Sequence, residues 1–501
     1  MGVAAVSPRA EASPGLLPRA RDRLLAVASE DTLPIVFFAT VASIWLMDLV
    51  GGLAADSWLT LLGGREVVAH GIPHRDALTV VSHGKEWVDQ QWLSQLFFYG
   101  LFRVGGLGLV VRVNDALFLI PLALCLVSAR RRGGSPSRVA LIALPALLFT
   151  GTFVRAQALS QLLFVLLLFL LLAESRRPSR RIVLAFPLLA LWANLHGAVV
   201  IGAALTAALG AAELGRRVRV RHWSAQALVR PVALLVVPWL CVLATPYGFG
   251  VLDYYRSTIG NSQLATYITE WRSPAFYSVW GVPFYLLAFV AVFLVGRRPR
   301  RLNAFELLAL GLTLGAGLLA VRSIVWFIYA CTILLPPLAE DVWPARSAPA
   351  FRDRDRVLRS CAAVFSVGLA VVFFARPMGS VAARWPDGPA AAVSHVLRAD
   401  PQAKVIANDK YADWLLFRVP ETRGRVAFDG RWEILSHAQM TRAMDFLFPQ
   451  GASWDRISDG YRLLVLDPHR DAKLAGIFRS RGWRVLYHDD RFVVLDRGRG
   501  R

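Results

Sequence analysis

Acids, one histidine and a few isolated arginines stand at the ends of long apolar runs, and these are the positions where the chain could do chemistry. Ionisable groups at membrane depth are costly to bury and default to a functional reading. Asp56 opens a helix-like stretch, Asp56-Ser57-Trp58-Leu59-Thr60-Leu61-Leu62. Its plain role is to cap that helix. Its chemical role is a carboxylate held at the membrane surface as general base or metal ligand. The turn Gly71-Ile72-Pro73-His74-Arg75-Asp76 and the run Trp87-Val88-Asp89-Gln90-Gln91-Trp92-Leu93 add Asp76 and Asp89 to the same segment. Aromatics beside acids also serve simply as interface anchors. The run Trp192-Ala193-Asn194-Leu195-His196-Gly197 sets Asn194 and His196 at one depth, where two short apolar runs bend. The plain alternative is a polar packing pair joined by a glycine turn. Arg155 and Gln157 lie at one turn and Arg322 at another, each otherwise poor in basic residues. A guanidinium placed there is suited to phosphate, with snorkelling to the interface as the alternative. Glu270-Trp271-Arg272, in a later loop, supplies Glu270 to a cleft wall.

The elements that must position these groups are apolar helices. The chain has 501 residues, 55% hydrophobic and 18% charged. A soluble globular protein carries about 25% charged residues. The deficit excludes an ordinary soluble enzyme, a disordered tail and a coiled coil. A bilayer-crossing helix needs about 20 mostly apolar residues. The apolar runs are 33–51, 107–128, 139–154, 157–174, 181–194, 197–214, 228–245, 276–296, 303–321, 323–340 and 358–376.

The net charge of +21, with 56 Lys+Arg against 35 Asp+Glu, would point to nucleic acid on a soluble chain. Here the arginines cluster in alternate loops: 130–132 with Arg138, then 176–181, 216–221, 297–301 and 352–359, after Arg9, Arg19, Arg21 and Arg23 in the N-terminal arm. That alternation is the positive-inside signal of a multi-pass membrane protein, with no nucleic-acid partner. The segment 90–104 is short and amphipathic, and is read as a helix lying along the interface. The expected fold is therefore a polytopic α-helical membrane protein of about 11 spans, with its N-terminus cytoplasmic.

Three parts follow: an arm, 1–32; a membrane domain, 33–376, with an outer loop at 52–106; and a polar tail, 377–501. The tail alternates strand-like runs at 404–408, 425–428, 462–467, 484–488 and 491–496 with helical patterns at 389–399, 436–448 and 471–481. It is expected to be a soluble extracytoplasmic α/β domain. The four cysteines lie singly in apolar runs and read as small core residues. The chain contains no Walker loop, GxSxG elbow or HExxH pair.

Asp56-x-Trp58, Gly71-x-Pro73-x-x-Asp76, Trp87 to Trp92-Leu93 and Asn194-x-His196-Gly197 are similar to a set of bacterial membrane proteins grouped with the GT-C superfamily. The tail run Asn408-Asp409 to Asp429-Gly430-Arg431 is similar to their C-terminal segment. An acid opening a helix in a long first outer loop, ahead of a many-span body, resembles GT-C glycosyltransferases such as protein O-mannosyltransferases and aminoarabinose transferases. The resemblance implies a bacterial inner-membrane enzyme that takes a sugar from a polyprenyl-phosphate donor on the outer face. The acceptor would be a glycan, a lipid or a protein. Asp56 would be the catalytic carboxylate, and His196 with Arg155 and Arg322 the phosphate or substrate contacts. Gln157, Asn194, Asp76, Asp89 and Glu270 complete the expected site. A divalent metal is left open as a cofactor. The chain departs from several GT-C enzymes by carrying Arg155-Ala156-Gln157 where they carry a second acid. A lipid-linked-sugar transporter and a non-catalytic membrane scaffold are the competing readings. A transporter would call for inverted repeats, which the sequence does not show.

Overall fold

The computed structural model describes residues 53, 55–146, 153–219, 224–343, 368 and 384–498. The runs 33–51 and 358–376, together with Asp48 and Cys361, lie outside them. The described residues form twelve helices up to Val342: α1 Ala55–His70, α2 Trp92–Arg131, α3 Pro136–Ala143, α4 Gln157–Arg176, α5 Ala185–Leu195, α6 Val199–Arg219, α7 Ala225–Val242, α8 Val251–Thr258, α9 Ser262–Tyr267, α10 Gly281–Arg297, α11 Ala304–Leu319 and α12 Ile324–Val342. Among them, α2, α4, α6, α7 and the stretch Val321–Val342 are long and apolar enough to cross a membrane, and α10 and α11 are shorter apolar helices. The helix α2 breaks at Gly105–Gly106, where Gly106 has φ 62°. Residues 92–104 are therefore kinked away from 107–131, a bend that the positive φ of glycine permits.

The helix ends sort onto two levels. At one level Glu306 receives Arg132 and Arg176, and Arg230 reaches both Glu174 and Glu213. The start of α11, the ends of α2, α4 and α6 and the start of α7 meet there. The start of α4, the end of α5, the end of α11 and the start of α12 lie at the other level, which carries the cavity described below. Strict alternation of basic and non-basic loops requires this arrangement, because each crossing swaps the ends. The acids add what the charge pattern alone omits. Glu174, Glu213 and Glu306 are buried, so the basic level is a paired network and not a bare positive rim.

Beyond residue 384 come α13 Asp387–Ala399, β1 Val405–Ala407, α14 Asp409–Arg418, α15 His437–Leu447, β2 Leu463–Leu466, α16 Ala472–Ser480, β3 Arg484–His488 and β4 Val493–Asp496. The strands form one sheet in the order β1-β2-β4-β3, parallel between β1 and β2 and antiparallel elsewhere. Side chains alternate across it, as strand geometry demands. Ile406, Leu464, Leu466, Val493 and Leu495 pack with α15 and α16. Val405, Ala407, Leu463, Val465 and Val494 face the other way, into a core shared with Trp58, Leu61 and Leu62 of α1.

The first loop and the tail are built into one another. Residues 74–87 form a hairpin, with Asp76 N–H donating to Lys85 C=O and Trp87 N–H to His74 C=O. One arm of it extends the sheet: Val80 N–H donates to Val426 C=O and Val81 N–H to Ala427 C=O. The 425–427 segment in turn pairs with Val405 of β1. Arg65 donates from Nη1 and Nη2 to the carbonyls of Phe417 and Leu416, closing the C-terminus of α14 where carbonyls lack helical partners. Trp58 packs edge-on against Trp385 at 5.2 Å and tilted against Phe417 at 5.5 Å. The helix that carries Asp56 is thus held from above by the tail and from below by α2.

Candidate active site

A cavity of about 390 Å³ lies where these parts meet. Asp56, Leu59 and Thr60 of α1 form one wall, and Gln90 and Gln91 the approach to α2. Arg155 and Gln157 enter at the start of α4, His196 between α5 and α6, and Arg322 in the turn before α12. Glu270 and Trp271 come from the 269–271 turn, and Asp409, Glu433, Phe448 and Arg470 from the tail. The residues that meet here are separated by up to several hundred positions in the chain.

Arg155 is the electrostatic centre. Its Nη1 donates to Glu270 Oε1 at 2.6 Å, and its Nε lies 3.0 Å from Asp56 Oδ2. The second contact is an ion pair without an aligned hydrogen bond. Burial opposes the cation, yet Asp56 and Glu270 hold its pKa above the ordinary arginine value. Burial likewise opposes the Glu270 carboxylate, but Arg155 and Arg322 hold its pKa below the ordinary range. The His196 ring behaves in the opposite way. Burial, with Arg322 and Arg155 nearby, pushes it down to about 3. The ring is neutral, and its Nδ1 accepts from Ala198 N–H at 3.1 Å. The proton therefore sits on Nε2, and His196 can serve a phosphate as a neutral donor only. Arg322 stacks over Trp271 at 4.3 Å and makes no ion pair among the described residues.

A second cavity, of about 570 Å³ and mainly apolar lining, adjoins the first. Val200, Ile201, Ala316, Leu319 and Trp326 are among its walls. The two share Gln157, His196, Tyr254, Thr258, Trp271 and Arg322. One partition of six side chains, including the Arg322 guanidinium, thus divides a charged chamber from a greasy one.

Three expected residues lie elsewhere. Asp76 does not line the cavity. Its carboxylate accepts from Leu78 N–H, Thr79 Oγ1, Ser82 Oγ and Arg431 Nη2, the last at 2.7 Å. Arg431 also reaches Asp429 at 2.6 Å and stacks on Trp87 at 4.2 Å. This buried group clasps the first loop to the tail. Asp89 lies behind the cavity wall. Its Oδ1 accepts from Gln95 Nε2 at 3.0 Å, and burial pushes its pKa up to about 7. Asn194 is fully engaged in packing: Oδ1 accepts from Trp92 Nε1, and Nδ2 donates to the carbonyls of Ala190 and Ala244.

Sequence reasoning missed the tail's share of the site. Asp409 and Glu433 sit in runs dense in acids, arginine and tryptophan, Asn408-Asp409 and Asp429-Gly430-Arg431-Trp432-Glu433, and that density was the available signal. Asp409 pairs with Arg470 at 2.9 Å, and Arg470 stacks on Phe448.

Among the described residues, no group of three or more His, Cys, Asp or Glu is placed to hold a metal ion. The cavity's two facing acids, Asp56 and Glu270, already share the Arg155 cation, so these residues do not fit a metal held by paired carboxylates.

No protein-family profile matches the sequence, and no curated protein matches it. Solved structures do. The apo structure of the transferase ArnT from Cupriavidus metallidurans matches at TM-score 0.50 and 17% identity, covering 92% of this chain and 97% of that one. The apo oligosaccharyltransferase of Archaeoglobus fulgidus matches at TM-score 0.50 and 12% identity, covering 87% of this chain and 69% of that one. Both are members of the GT-C superfamily, and the chain has the GT-C fold.

Proposed function

We propose that this chain is a membrane glycosyltransferase. It takes a sugar from a polyprenyl-phosphate donor and passes it to an acceptor hydroxyl on the extracytoplasmic face of a bacterial inner membrane. One observation carries the reading: the charged chamber and the apolar chamber share a partition that holds Arg322, which makes no ion pair among the described residues. A lipid-linked sugar needs an apolar track for the prenyl chain, a cation for the phosphate and a polar room for the sugar, in that order. One of the structural neighbours is named as an oligosaccharyltransferase.

In this reading the prenyl chain lies along Val200, Ile201 and Leu319, and the phosphate rests at Arg322. The acceptor oxygen forms a bond to the anomeric carbon. The bond from that carbon to the phosphate oxygen breaks, and the carrier leaves as polyprenyl phosphate. Its new negative charge falls to Arg322 and to the Nε2–H of His196, donors already in place before charge develops. The acceptor proton goes to Asp56, a half-exposed carboxylate at the cavity edge. Arg155 fixes the orientation of Asp56. Asp76 acts through Arg431 as a positioning residue, and Asp89 and Asn194 support the wall.

The test uses the full chain in lipid nanodiscs with radiolabelled polyprenyl-phosphate sugars and membrane-extract acceptors. Asp56→Asn is expected to bind the carrier normally and to lose about 10²–10⁴-fold in transfer. Equal transfer by wild type and variant would overturn Asp56 as the base, and no transfer by the wild type would point to a scaffold. A periplasmic-active reporter enzyme fused after Arg501 checks the orientation, and activity confined to the cytosol would overturn it.

A further inference from the structure

The proposed transfer leaves one cavity-lining acid without a task. Glu433 lies in the 432–434 turn of the tail and lines the charged chamber. It makes no ion pair among the described residues, whereas Asp56 and Glu270 share Arg155 and Asp409 holds Arg470. Its turn is held on both flanks by the first loop. On one side Arg431 is clasped by Asp76, Asp429 and Trp87. On the other, Lys85 Nζ donates to Ile434 C=O at 3.2 Å. A side chain whose backbone is anchored so firmly keeps its aim without a partner of its own. The facing groups are Arg322, whose charge acts on the Glu433 carboxyl, and Tyr254 and Asp89, which feel Glu433 in return. The helix α8 packs on this turn and carries Asp253 and Arg256, which pair with each other in solvent. Among the described residues the chamber thus presents a cation, Arg322, and a carboxyl group, Glu433, that make no ion pair and lie within electrostatic reach of each other.

We propose that Glu433 is the second contact for the carrier phosphate, its carboxylic acid donating a hydrogen bond to an oxygen that Arg322 leaves free. The proposal rests on the transferase reading above. A carboxylate would repel the phosphate, so only the protonated side chain can make this contact. Burial pushes the group up to about 7, against a hydrogen bond from its own backbone N–H and the charges of Arg431 and Arg322, which favour ionisation; the neighbouring Asp429 opposes it. A phosphate bound at Arg322 adds another negative charge and drives the group further toward its neutral form. Carrier binding then takes up a proton near neutral pH. A buried carboxylic acid kept neutral so that it can donate is an established device in enzyme sites.

The experiment measures binding of farnesyl phosphate to the full chain in nanodiscs from pH 6 to 8.5. If only the protonated form of Glu433 binds, the wild-type Kd weakens about 30-fold across that range, following the protonated fraction. Glu433→Gln keeps a neutral donor at every pH, so it carries only the probe's own titration, whose second ionisation falls near pH 6. The ratio of the two Kd values is therefore the readout. Glu433→Ala should bind on the order of 10-fold more weakly than Glu433→Gln at pH 6. Parallel pH profiles for wild type and Glu433→Gln, with binding intact, overturn the Glu433 assignment and leave the transferase reading standing. Failure of the wild type to bind the probe at any pH, or equal affinity for farnesol, overturns both.

Discussion

Arg155 Nε lies 3.0 Å from Asp56 Oδ2, although the two residues are 99 positions apart in the chain. The same guanidinium holds Glu270. Two carboxylates from distant parts of the chain thus meet one organic cation at the cavity.

The first prediction concerns that cation. Chelation of divalent metals with EDTA should leave carrier binding and transfer by the wild type within about twofold, since Arg155 already pairs with both acids. Arg155→Met leaves two like charges facing one another and should cost about 10²-fold or more in transfer, in line with the loss of one preorganised charged group. A parallel EDTA titration and initial-rate assay checks both. Strong inhibition of the wild type by EDTA would refute the assignment.

A second prediction addresses the clasp. Arg431 is buried between Asp76 and Asp429. Arg431→Met strands two buried carboxylates and should destabilise the loop–tail unit by about 3–5 kcal/mol. Limited proteolysis of the tail and thermal unfolding in nanodiscs report this. The Asp76 carboxyl is held below its ordinary value of 3.8: burial opposes ionisation, but Arg431, Leu78 N–H and Thr79 outweigh it. A depressed folded pKa stabilises above the unfolded value and loses that contribution as pH falls through the folded one. The clasp should therefore hold from pH 5 upward and loosen only in strong acid.

Helix packing supplies a third. A Cβ at Gly64 would lie 2.2 Å from the Gln95 backbone oxygen and 2.4 Å from Tyr99 Cβ, while one at Gly100 meets nothing within 4 Å. Gly64→Ala must push α1 away from α2 and carry Asp56 with it. It should cost about 1–3 kcal/mol and reduce transfer, and Gly100→Ala should do neither. Paired melting curves and rates decide this, and identical behaviour of the two variants would contradict the packing.

A fourth concerns His196. Its ring is pushed down to about 3, so the folded protein keeps it neutral while the unfolded chain binds a proton below about 6.5. The unfolded state holds more protons between those values, so stability rises with pH across that window and is fully recovered above it. Histidine NMR should show no titration of His196 between pH 5 and 8. A pH step in transfer near neutrality should survive His196→Asn and vanish in Glu433→Gln.

Much of the site was legible because its members break a local rule. Arg155 and Arg322 are lone arginines in loops that charge alternation leaves bare, and His196 is a polar residue where two apolar runs bend. Asp76 breaks a rule too, and its conspicuous turn marks a structural clasp, not a cavity wall. Glu433 breaks none. It sits in a polar tail where acids are ordinary, and only the crowding of charged and aromatic residues at 429–433 marks its run. The α14 helix, Asp409–Arg418, was also missed, because half of its apolar faces pack on α1 and its pattern reads as mixed without that partner.

The sequence by itself determined the apolar runs, the alternation of basic loops and the places where the chain turns, because bilayer thickness and backbone hydrogen bonding leave few ways to satisfy them. Only the tertiary structure decided which turns share a chamber, which acid faces which arginine, and that the tail's sheet takes a segment from the first loop. Those outcomes depend on long-range packing between segments up to about 350 residues apart, as at Arg431 and Asp76. No local pattern encodes such a pairing, because each partner is satisfied only when the other arrives.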